Sequence, residues 1–265
     1  MPFTPSHAAA ALLFTRTPLF PAAIVAGSVA PDLPYYLPLA AVRDLTHEPV
    51  SIITVDLAIG VFAFLLWQFV LRAPVIDFAP LWLRSRMPQR PGRAFAPESW
   101  SPIVTALVVI ASVVVGAATH LLWDAFTHPG WIVDRLTVLR LQAGPLLVHK
   151  WLQHVSTIGG LVAIAVWTVV WVRRTPAIFS PAAGSGVRSV IGEDDPRRLR
   201  RWVLAGIVAV FVVSGLAAWA VAIASGQAPF DPSVVFTTAR ICVGATLAAL
   251  ATVCLAWHVA HRVAR

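Results

Sequence analysis

The chain has 265 residues, of which 58% are hydrophobic and only 12% are charged, and its mean hydropathy is +0.78. Soluble domains are about 25% charged, so this composition excludes an ordinary soluble fold, and the abundance of apolar residues excludes a disordered chain. A net charge of +8 would suggest nucleic acid in a soluble protein. In a membrane protein it bears on orientation instead, and we expect no nucleic-acid partner.

The N-terminal segment 6–30 is apolar but is interrupted by Arg16, Pro18 and Pro21. Each half is about 11 residues long, too short to cross a bilayer alone. A kinked helix, a re-entrant hairpin and an interfacial hairpin all fit this pattern. The first fifteen residues carry no Lys or Arg, which argues against a cleaved signal peptide. We expect an N-terminal helical hairpin and leave open whether it enters the bilayer.

Five later stretches reach the length of about 20 apolar residues that a membrane-spanning helix needs. They run over residues 50–71, 102–122, 154–172, 202–224 and 237–258. Trp residues lie at or near their ends, as in an interfacial aromatic belt. The sequence therefore predicts an all-α, polytopic membrane helical bundle of about five spans in addition to the N-terminal hairpin.

The Arg residues predict the orientation of these spans. Fourteen of the 20 basic residues lie in loop 72–101, loop 173–201 and the C-terminal tail. Five spans place these three regions on one side, which the positive-inside rule makes cytoplasmic. Segments 1–49 and 123–153 then face outward. We expect a multi-pass protein of the cell membrane in contact with membrane lipids.

The chain is expected to divide into a membrane core, residues 1–175, and a two-span C-terminal hairpin, residues 201–265. Gly, Ser and acidic residues between them, within 176–200, are typical of a flexible linker, here on the cytoplasmic side. Cys242 and Cys254 lie about 18 Å apart along one helix, so they cannot form a disulfide with each other.

Six of the eight His residues are candidate ligands: five lie on the outward side of the predicted topology, and His7 joins them if residues 6–30 fold back as a hairpin. The six are His7, His47, His120, His128, His149 and His154. The sharpest motif is His120, Asp124 and His128, because a spacing of four advances by only about 40° around a helix and leaves all three on one face. Imidazole and carboxylate groups suit a divalent metal, above all zinc. The alternative is that they only hydrogen-bond each other at a helix end.

Three acidic residues near this side are further candidates. Asp32 lies between two prolines, which suits a rigidly held ligand or base but also an ordinary helix terminator. Asp44 ranks below His47, because it could pair with Arg43 or cap a helix. Asp56 lies inside the first span, where a carboxylate is a functional candidate unless Thr54 or another helix satisfies it.

Positions 149 and 154 are a special case. They are about 140° apart around a helix, so His149 and His154 share a site only if His149 precedes the helix. Lys150 between them could bind an anionic substrate or mark the membrane interface.

Several motifs occur in an order that resembles a bacterial membrane family known as domain of unknown function 4184, over roughly residues 1–172. The motifs are Met1-Pro2-Phe3-Thr4-Pro5-Ser6-His7, Gly27-Ser28-Val29-Ala30-Pro31-Asp32-Leu33-Pro34-Tyr35, Leu45-Thr46-His47, Thr119-His120-Leu121-Leu122-Trp123-Asp124-Ala125-Phe126-Thr127-His128 and Lys150-Trp151-Leu152-Gln153-His154. The resemblance implies no mechanism, because that family has no established activity.

More distantly, the order of His and Asp residues is similar to membrane-bound metal-dependent hydrolases and to the zinc-dependent phospholipase C and P1 nuclease group. This resemblance implies three metal positions and two catalytic carboxylates, Asp32 as base or ligand and Asp124 as bridge. The implied sets are His47, His120 and Asp124; His128 with His149 or His154; and His7 with Asp124. The chain lacks the His-x-x-x-Glu pair of the soluble enzymes, so we expect one or two metals.

We therefore expect a membrane-embedded metal-dependent hydrolase, with its site at the extracytoplasmic face and a phosphoester or lipid-like substrate. Two alternatives stay open at this point. Asp56 and His120 within or near spans would also fit a transporter or metal-handling permease. Histidines that only tie loops together would fit a structural or regulatory membrane protein.

Overall fold

The computed structural model describes residues 4–37, 39–87, 96–178 and 196–263. Its α-helices are α1 (Pro21–Val29), α2 (Leu33–Tyr36), α3 (Ala40–Arg43), α4 (Val55–Leu66), α5 (Arg72–Phe78), α6 (Leu81–Arg84), α7 (Pro102–Thr127), α8 (Trp131–Arg135), α9 (Val148–Arg174), α10 (Pro196–Ala224) and α11 (Pro232–Val263). The 3₁₀ helices are Thr4–Phe14, Ala30–Asp32, Pro49–Ile53 and Thr137–Arg140, and a π-helical turn covers Trp67–Leu71. Strands β1 (Gln142–Ala143) and β2 (Leu146–Leu147) form a small antiparallel hairpin.

Within the described part of the chain, five helical stretches are long and apolar enough to cross a membrane. They are Val55–Phe78, Pro102–Thr127, Val148–Arg174, Arg198–Ala224 and Pro232–Arg262. The predicted all-α polytopic fold with five spans is therefore confirmed.

The first span ends later than the sequence predicts, because helix continues beyond residue 71 through α5. A proline inside a helix leaves the carbonyl four residues earlier without its usual donor. Here the π-helical turn precedes Pro74, and the carbonyl of Val70 accepts a hydrogen bond from His258 Nε2 at 2.9 Å. The helix therefore continues beyond Pro74, although the sequence predicts a loop at this position.

The chain forms two compact units. The first comprises Met1–Leu66 and Gly92–Thr175, and the second comprises Trp67–Pro91 and Pro176–Arg265. The second unit thus includes residues 67–91 in addition to the C-terminal part of the chain. Most of the linker predicted over 176–200 lies outside the described residues.

In the first unit, the N-terminal segment is a helical hairpin. The 3₁₀ helix Thr4–Phe14 ends in a turn in which the backbone N–H and the hydroxyl of Thr17 both donate to the carbonyl of Phe14, at 3.0 and 2.7 Å. The chain then reverses and α1 begins at Pro21, where the missing N–H of proline has no cost. This hairpin brings the N-terminus onto the two spans α7 and α9.

Helices α1 and α7 cross at the centre of the first unit with almost no separation between their backbones. A Cβ at Gly27 would overlap the carbonyl of Val113, and a Cβ at Gly116 would overlap the carbonyl of Ile24. The buried core around this crossing consists of Phe20, Ala23, Ala26, Phe64, Val109 and Val113. Glycine at both positions is therefore what allows α1 to lie directly on α7.

In the second unit, Asp77 of α5 is a largely desolvated carboxylate that faces the buried Arg84. Its Oδ1 lies 3.1 Å from Arg84 Nη1 and 3.6 Å from Arg200 Nη2, and its Oδ2 accepts a hydrogen bond from Trp257 Nε1 at 3.0 Å. The carboxylate thereby links α5, α6, α10 and α11. Charges that are desolvated in this way need such partners, so we assign this group a structural role.

Replacing Gly116 by Ala is expected to destabilise the protein, because the new methyl group must push α1 away from α7. Overpacking of this kind costs about 1–3 kcal/mol. Gly159→Ala in α9 is the matched control, since no atom lies within 4 Å of a Cβ at that position, and Ala favours the helix. Thermal unfolding of the two variants in detergent measures the difference. Equal melting temperatures would contradict the close crossing.

Candidate metal centre

Five side chains from separate parts of the chain converge at one end of the spans in the first unit. We call them the His/Asp cluster: His7, Asp32, His47, His120 and Asp124. The N-terminal 3₁₀ helix supplies the first, the 3₁₀ turn after α1 the second, the loop before α4 the third, and α7 the last two. All are buried except His47, which is partly exposed. The helical stripe predicted for α7 therefore meets three other segments.

Four atoms of the cluster form a compact donor set. Asp32 Oδ1 lies 3.3 Å from His47 Nε2 and 3.7 Å from His120 Nε2. Asp124 Oδ2 lies 3.4 Å from His120 Nε2 and 3.9 Å from His47 Nε2. A tetrahedral zinc site with bonds of about 2.0–2.1 Å places its ligand atoms about 3.3–3.4 Å apart. The four distances are close to that spacing, and three of the atoms, those of Asp32, His47 and His120, all lie within 4.8 Å of one another.

The second oxygen of Asp124 faces different partners. Its Oδ1 lies 3.6 Å from His7 Nε2 and 3.6 Å from His128 Nδ1. The ring of His7 stacks on the ring of His120, with centroids 4.0 Å apart. One carboxylate thus presents an oxygen to each of two groups of imidazoles, which is the arrangement of a carboxylate able to bridge two ions.

The atoms that point into the cluster are buried without hydrogen-bond partners among the described residues. They are His7 Nε2, Asp32 Oδ1, His47 Nε2, His120 Nε2 and Asp124 Oδ1. Leaving a buried polar atom unpaired costs about 1–3 kcal/mol, and more when the group is charged. Five such atoms close together would destabilise the fold considerably, whereas bound cations would satisfy them.

The outward-facing atoms of the same side chains are well bonded. His120 Nδ1 donates to the carbonyl of Ser28 at 2.7 Å, which leaves the lone pair on Nε2 facing the cluster. Asp32 Oδ2 accepts from the hydroxyl of Thr4 at 2.6 Å, and that hydroxyl lies 3.0 Å from the hydroxyl of Tyr36. Outer contacts of this kind orient metal ligands in proteins.

The imidazole of His47 is oriented in the same way. The hydroxyl of Thr46 donates to the carbonyl of Arg43 at 2.9 Å, and its oxygen lies 3.0 Å from His47 Nδ1. Because the single hydroxyl proton is used on the carbonyl, Nδ1 is the donor and Nε2 keeps a free lone pair. His47 is also the one non-glycine residue with positive φ, 71°, among the described residues. Such strain is common at functional sites.

Burial and neighbouring charges set the protonation of the cluster residues outside the spans. Burial, together with the nearby His120, lowers the pKa of His7 to about 4. Burial alone would raise the pKa of Asp32, but His47, His120 and Thr4 outweigh it and the pKa is lowered. Burial also lowers the pKa of His128. Neutral imidazole and ionised carboxylate are the forms that bind a metal.

The structure does not bring every sequence candidate into the cluster. Helix α9 begins at Val148, so His149 and His154 both lie within it and point in different directions. His149 is buried and its Nδ1 donates to the carbonyl of Leu139 at 3.0 Å, whereas His154 is exposed. Neither belongs to the two candidate ligand groups among the described residues, which are His7, His120 and Asp124, and Asp32, His47 and His120.

Two acidic candidates have other surroundings. Asp44 is exposed, and its Oδ1 lies 3.9 Å from Arg43 Nε. This is the pairing with Arg43 that the sequence offers as an alternative to a functional role. Asp56 is buried and accepts a hydrogen bond from the hydroxyl of Ser51, rather than from Thr54, while its Oδ1 has no hydrogen-bond partner among the described residues.

The sequence does not predict the hydrogen bonds that Asp32 receives from Thr4, that His120 donates to the carbonyl of Ser28, and that Asp56 receives from Ser51. Isolated hydroxyls and a backbone carbonyl carry no pattern.

Comparisons with known proteins give one match. A search of curated proteins and a search of solved structures each found no significant match. A family model described as a domain of unknown function (DUF4184) matches residues 1–257. The match extends beyond residues 1–172, on which the resemblance in the sequence depends, and includes both C-terminal spans. The chain therefore belongs to the DUF4184 family.

Proposed function

We propose that the protein is a membrane-embedded, metal-dependent hydrolase that acts on phosphoesters or lipid-like substrates. The observation that carries this proposal is the convergence of five buried and unpaired donor atoms in the His/Asp cluster. Imidazole and carboxylate donors with near-tetrahedral spacing favour zinc over magnesium or calcium, which prefer oxygen ligands.

Four residues would hold the first ion: Asp32, His47, His120 and Asp124. Asp32 uses one oxygen for the Thr4 hydroxyl and keeps the other for the cluster, so we assign it as a ligand rather than a base. His7 and the second oxygen of Asp124 are placed for a second ion.

A zinc ion here would supply Lewis-acid polarisation of the scissile group and would acidify a water molecule. The chain's own contribution is to fix the donors and to exclude bulk water from a buried site. His128 lies beside Asp124 with a buried Nε2 that has no hydrogen-bond partner among the described residues. Its side chain is 26% exposed, so it is the group placed to exchange a proton with a substrate.

The alternatives fit the cluster less well. A purely structural cluster would join these atoms by short hydrogen bonds. The inward-facing imidazole and carboxylate atoms lie 3.3–3.9 Å apart, whereas the outward-facing atoms make hydrogen bonds of 2.6–3.0 Å. A transport path would require polar groups along the spans, whereas the donors of the first unit gather at one end, where α7 ends and α4 begins.

We place the cluster on the extracytoplasmic side of the cell membrane. It lies at the end of α7 and near the start of α4, and the Arg-rich segments follow the opposite ends of the first and third spans. The positive-inside rule assigns those segments to the cytoplasm.

Removing cluster ligands is expected to abolish metal binding. Wild-type protein purified in detergent should contain zinc by elemental analysis, and His120→Ala combined with Asp124→Ala should contain none, because the ion loses two first-sphere donors. His47→Ala, in a partly exposed loop, provides a variant that is easier to fold. His154→Ala is the matched control and should keep its zinc. Absence of transition metal from the wild-type protein would contradict the proposed metal site.

Hydrolysis is expected to depend on the same ion. The wild type should hydrolyse bis(p-nitrophenyl) phosphate in the presence of zinc, and a chelator should remove this turnover until zinc is restored. His47→Ala should lack the turnover. A wild-type protein that binds zinc but hydrolyses no phosphodiester or carboxylic ester would overturn the hydrolase assignment.

Thr4→Val should weaken zinc binding without removing a ligand, because Asp32 loses the hydroxyl that orients it. Loss of such outer contacts costs about 10–100-fold in metal affinity. Competition with a chromophoric chelator measures the affinity. Thr15→Val is the control, since that hydroxyl is exposed and donates only to the carbonyl of Leu12. Equal affinities in both variants would contradict the role of Thr4.

Orientation can be tested with single cysteines. Gln142→Cys, in the β-hairpin beyond α7, should react with a membrane-impermeant maleimide on intact cells, whereas Ser99→Cys, in the Arg-rich loop, should react only after permeabilisation. Both positions are exposed, and the native Cys242 and Cys254 are buried. The reverse labelling pattern would place the cluster in the cytoplasm.

A further inference from the structure

A groove lies directly beside the His/Asp cluster in the first unit. It has a volume of about 310 Å³ and is formed where the N-terminal 3₁₀ helix meets the spans α7 and α9. This is the lower end of the usual size of ligand pockets. Its lining residues are Ser6, His7, Ala9, Ala10, Leu13, Thr119, Leu122, Trp123, Ser156 and Gly160.

The groove is apolar over most of its surface. The hydroxyls of Thr119 and Ser156 donate to carbonyls of their own helices, those of Gly116 and Gln153. The indole N–H of Trp123 is bound by the hydroxyl of Ser156 at 3.0 Å. These polar groups are thus occupied within the protein, and the walls offer mainly methyl, methylene and aromatic surface to a ligand.

The outer part of the groove faces the region where lipid chains would lie. Leu13 is 79% exposed and Leu122 is 61% exposed, and α7 and α9 are both candidate membrane spans. Such exposure of large apolar side chains beside a concave surface is typical of a ligand or membrane contact. An alkyl chain could therefore enter sideways from the bilayer without crossing water.

His7 joins the groove to the cluster. It lines the groove, and its Nε2 lies 3.6 Å from Asp124 Oδ1 while its ring stacks on His120. At the α9 wall, the N-terminal 3₁₀ helix lies directly on the span, because a Cβ at Gly160 would lie 2.8 Å from the carbonyl of Ser6. A chain lying in the groove would consequently have its polar end beside His7 and the donor atoms of the cluster.

We propose that this groove holds one acyl chain of a membrane phospholipid and presents its phosphate or ester group to the cluster. The inference rests on the proposed hydrolase function and names its substrate class. A water-soluble phosphoester would leave this apolar surface unused, whereas a bilayer lipid combines the alkyl chain that fits the groove with the anionic head group that fits a cationic metal site.

Photo-crosslinking tests the proposal on the full-length protein. Vesicles of phosphatidylethanolamine and phosphatidylglycerol carry a small fraction of phosphatidylglycerol with a diazirine in one acyl chain. After irradiation and proteolysis, mass spectrometry should locate adducts on residues 9–13 and 119–123, above the labelling of other exposed apolar faces.

Filling the groove should reduce these adducts several-fold. Ala10→Trp places a large ring inside it, and Leu13→Trp does so from an exposed position where folding is not at risk. Leu107→Trp is the matched control, because Leu107 is an exposed residue of α7 that does not line the groove. Even labelling of all apolar faces, or equal adduct yields in the Ala10, Leu13 and Leu107 variants, would overturn the proposal.

The two proposals fail in different ways. Zinc-dependent turnover of bis(p-nitrophenyl) phosphate by the wild type, together with unselective lipid labelling, would overturn the acyl-chain groove and leave the hydrolase intact. Selective labelling without any zinc-dependent turnover of the soluble or the lipid phosphoester would overturn the role of the groove as a substrate site.

Discussion

Buried donor atoms without hydrogen-bond partners among the described residues are the constraint on which the first unit depends. Imidazole and carboxylate groups are costly near a bilayer unless they are paired or bind an ion. Here five such side chains each direct one buried polar atom into the interior of the cluster. Their outward atoms are fixed by Thr4, Ser28 and Thr46. The unit therefore holds these side chains in place at the expense of stability, as is usual where function opposes packing.

Sequence patterns predict those parts of the structure that depend on local geometry. Hydropathy gives five spans because a bilayer sets their length, and a spacing of four places His120 and Asp124 on one helical face. The association of His7, Asp32 and His47 with that face depends on the N-terminal hairpin and on the paths of the loops. Sequence periodicity predicts neither of these. His149 and His154 illustrate the limit, since their use depended on where α9 begins, and helix boundaries are the least predictable feature.

Surface chemistry around the cluster divides into two environments. On one side, the side chains of His128 and His47 are 26% exposed, although their Nε2 atoms are buried. On the other side, His7 separates the donors from an apolar groove bounded by Ala10 and Leu13. A reaction on an amphiphilic substrate requires this combination, because the alkyl chain must stay away from water while the cleaved bond must meet it.

The crossing of Gly27 over Gly116 has a consequence for biosynthesis. Helix α1 has nine residues, too few to remain inserted by itself, and the backbone on which it lies belongs to a helix made much later. The N-terminal segment must therefore wait, undocked, until the second span has left the ribosome and entered the membrane. Assembly of the cluster therefore cannot precede insertion of the second span, and an ion bound there would mark a chain whose early and late segments have met.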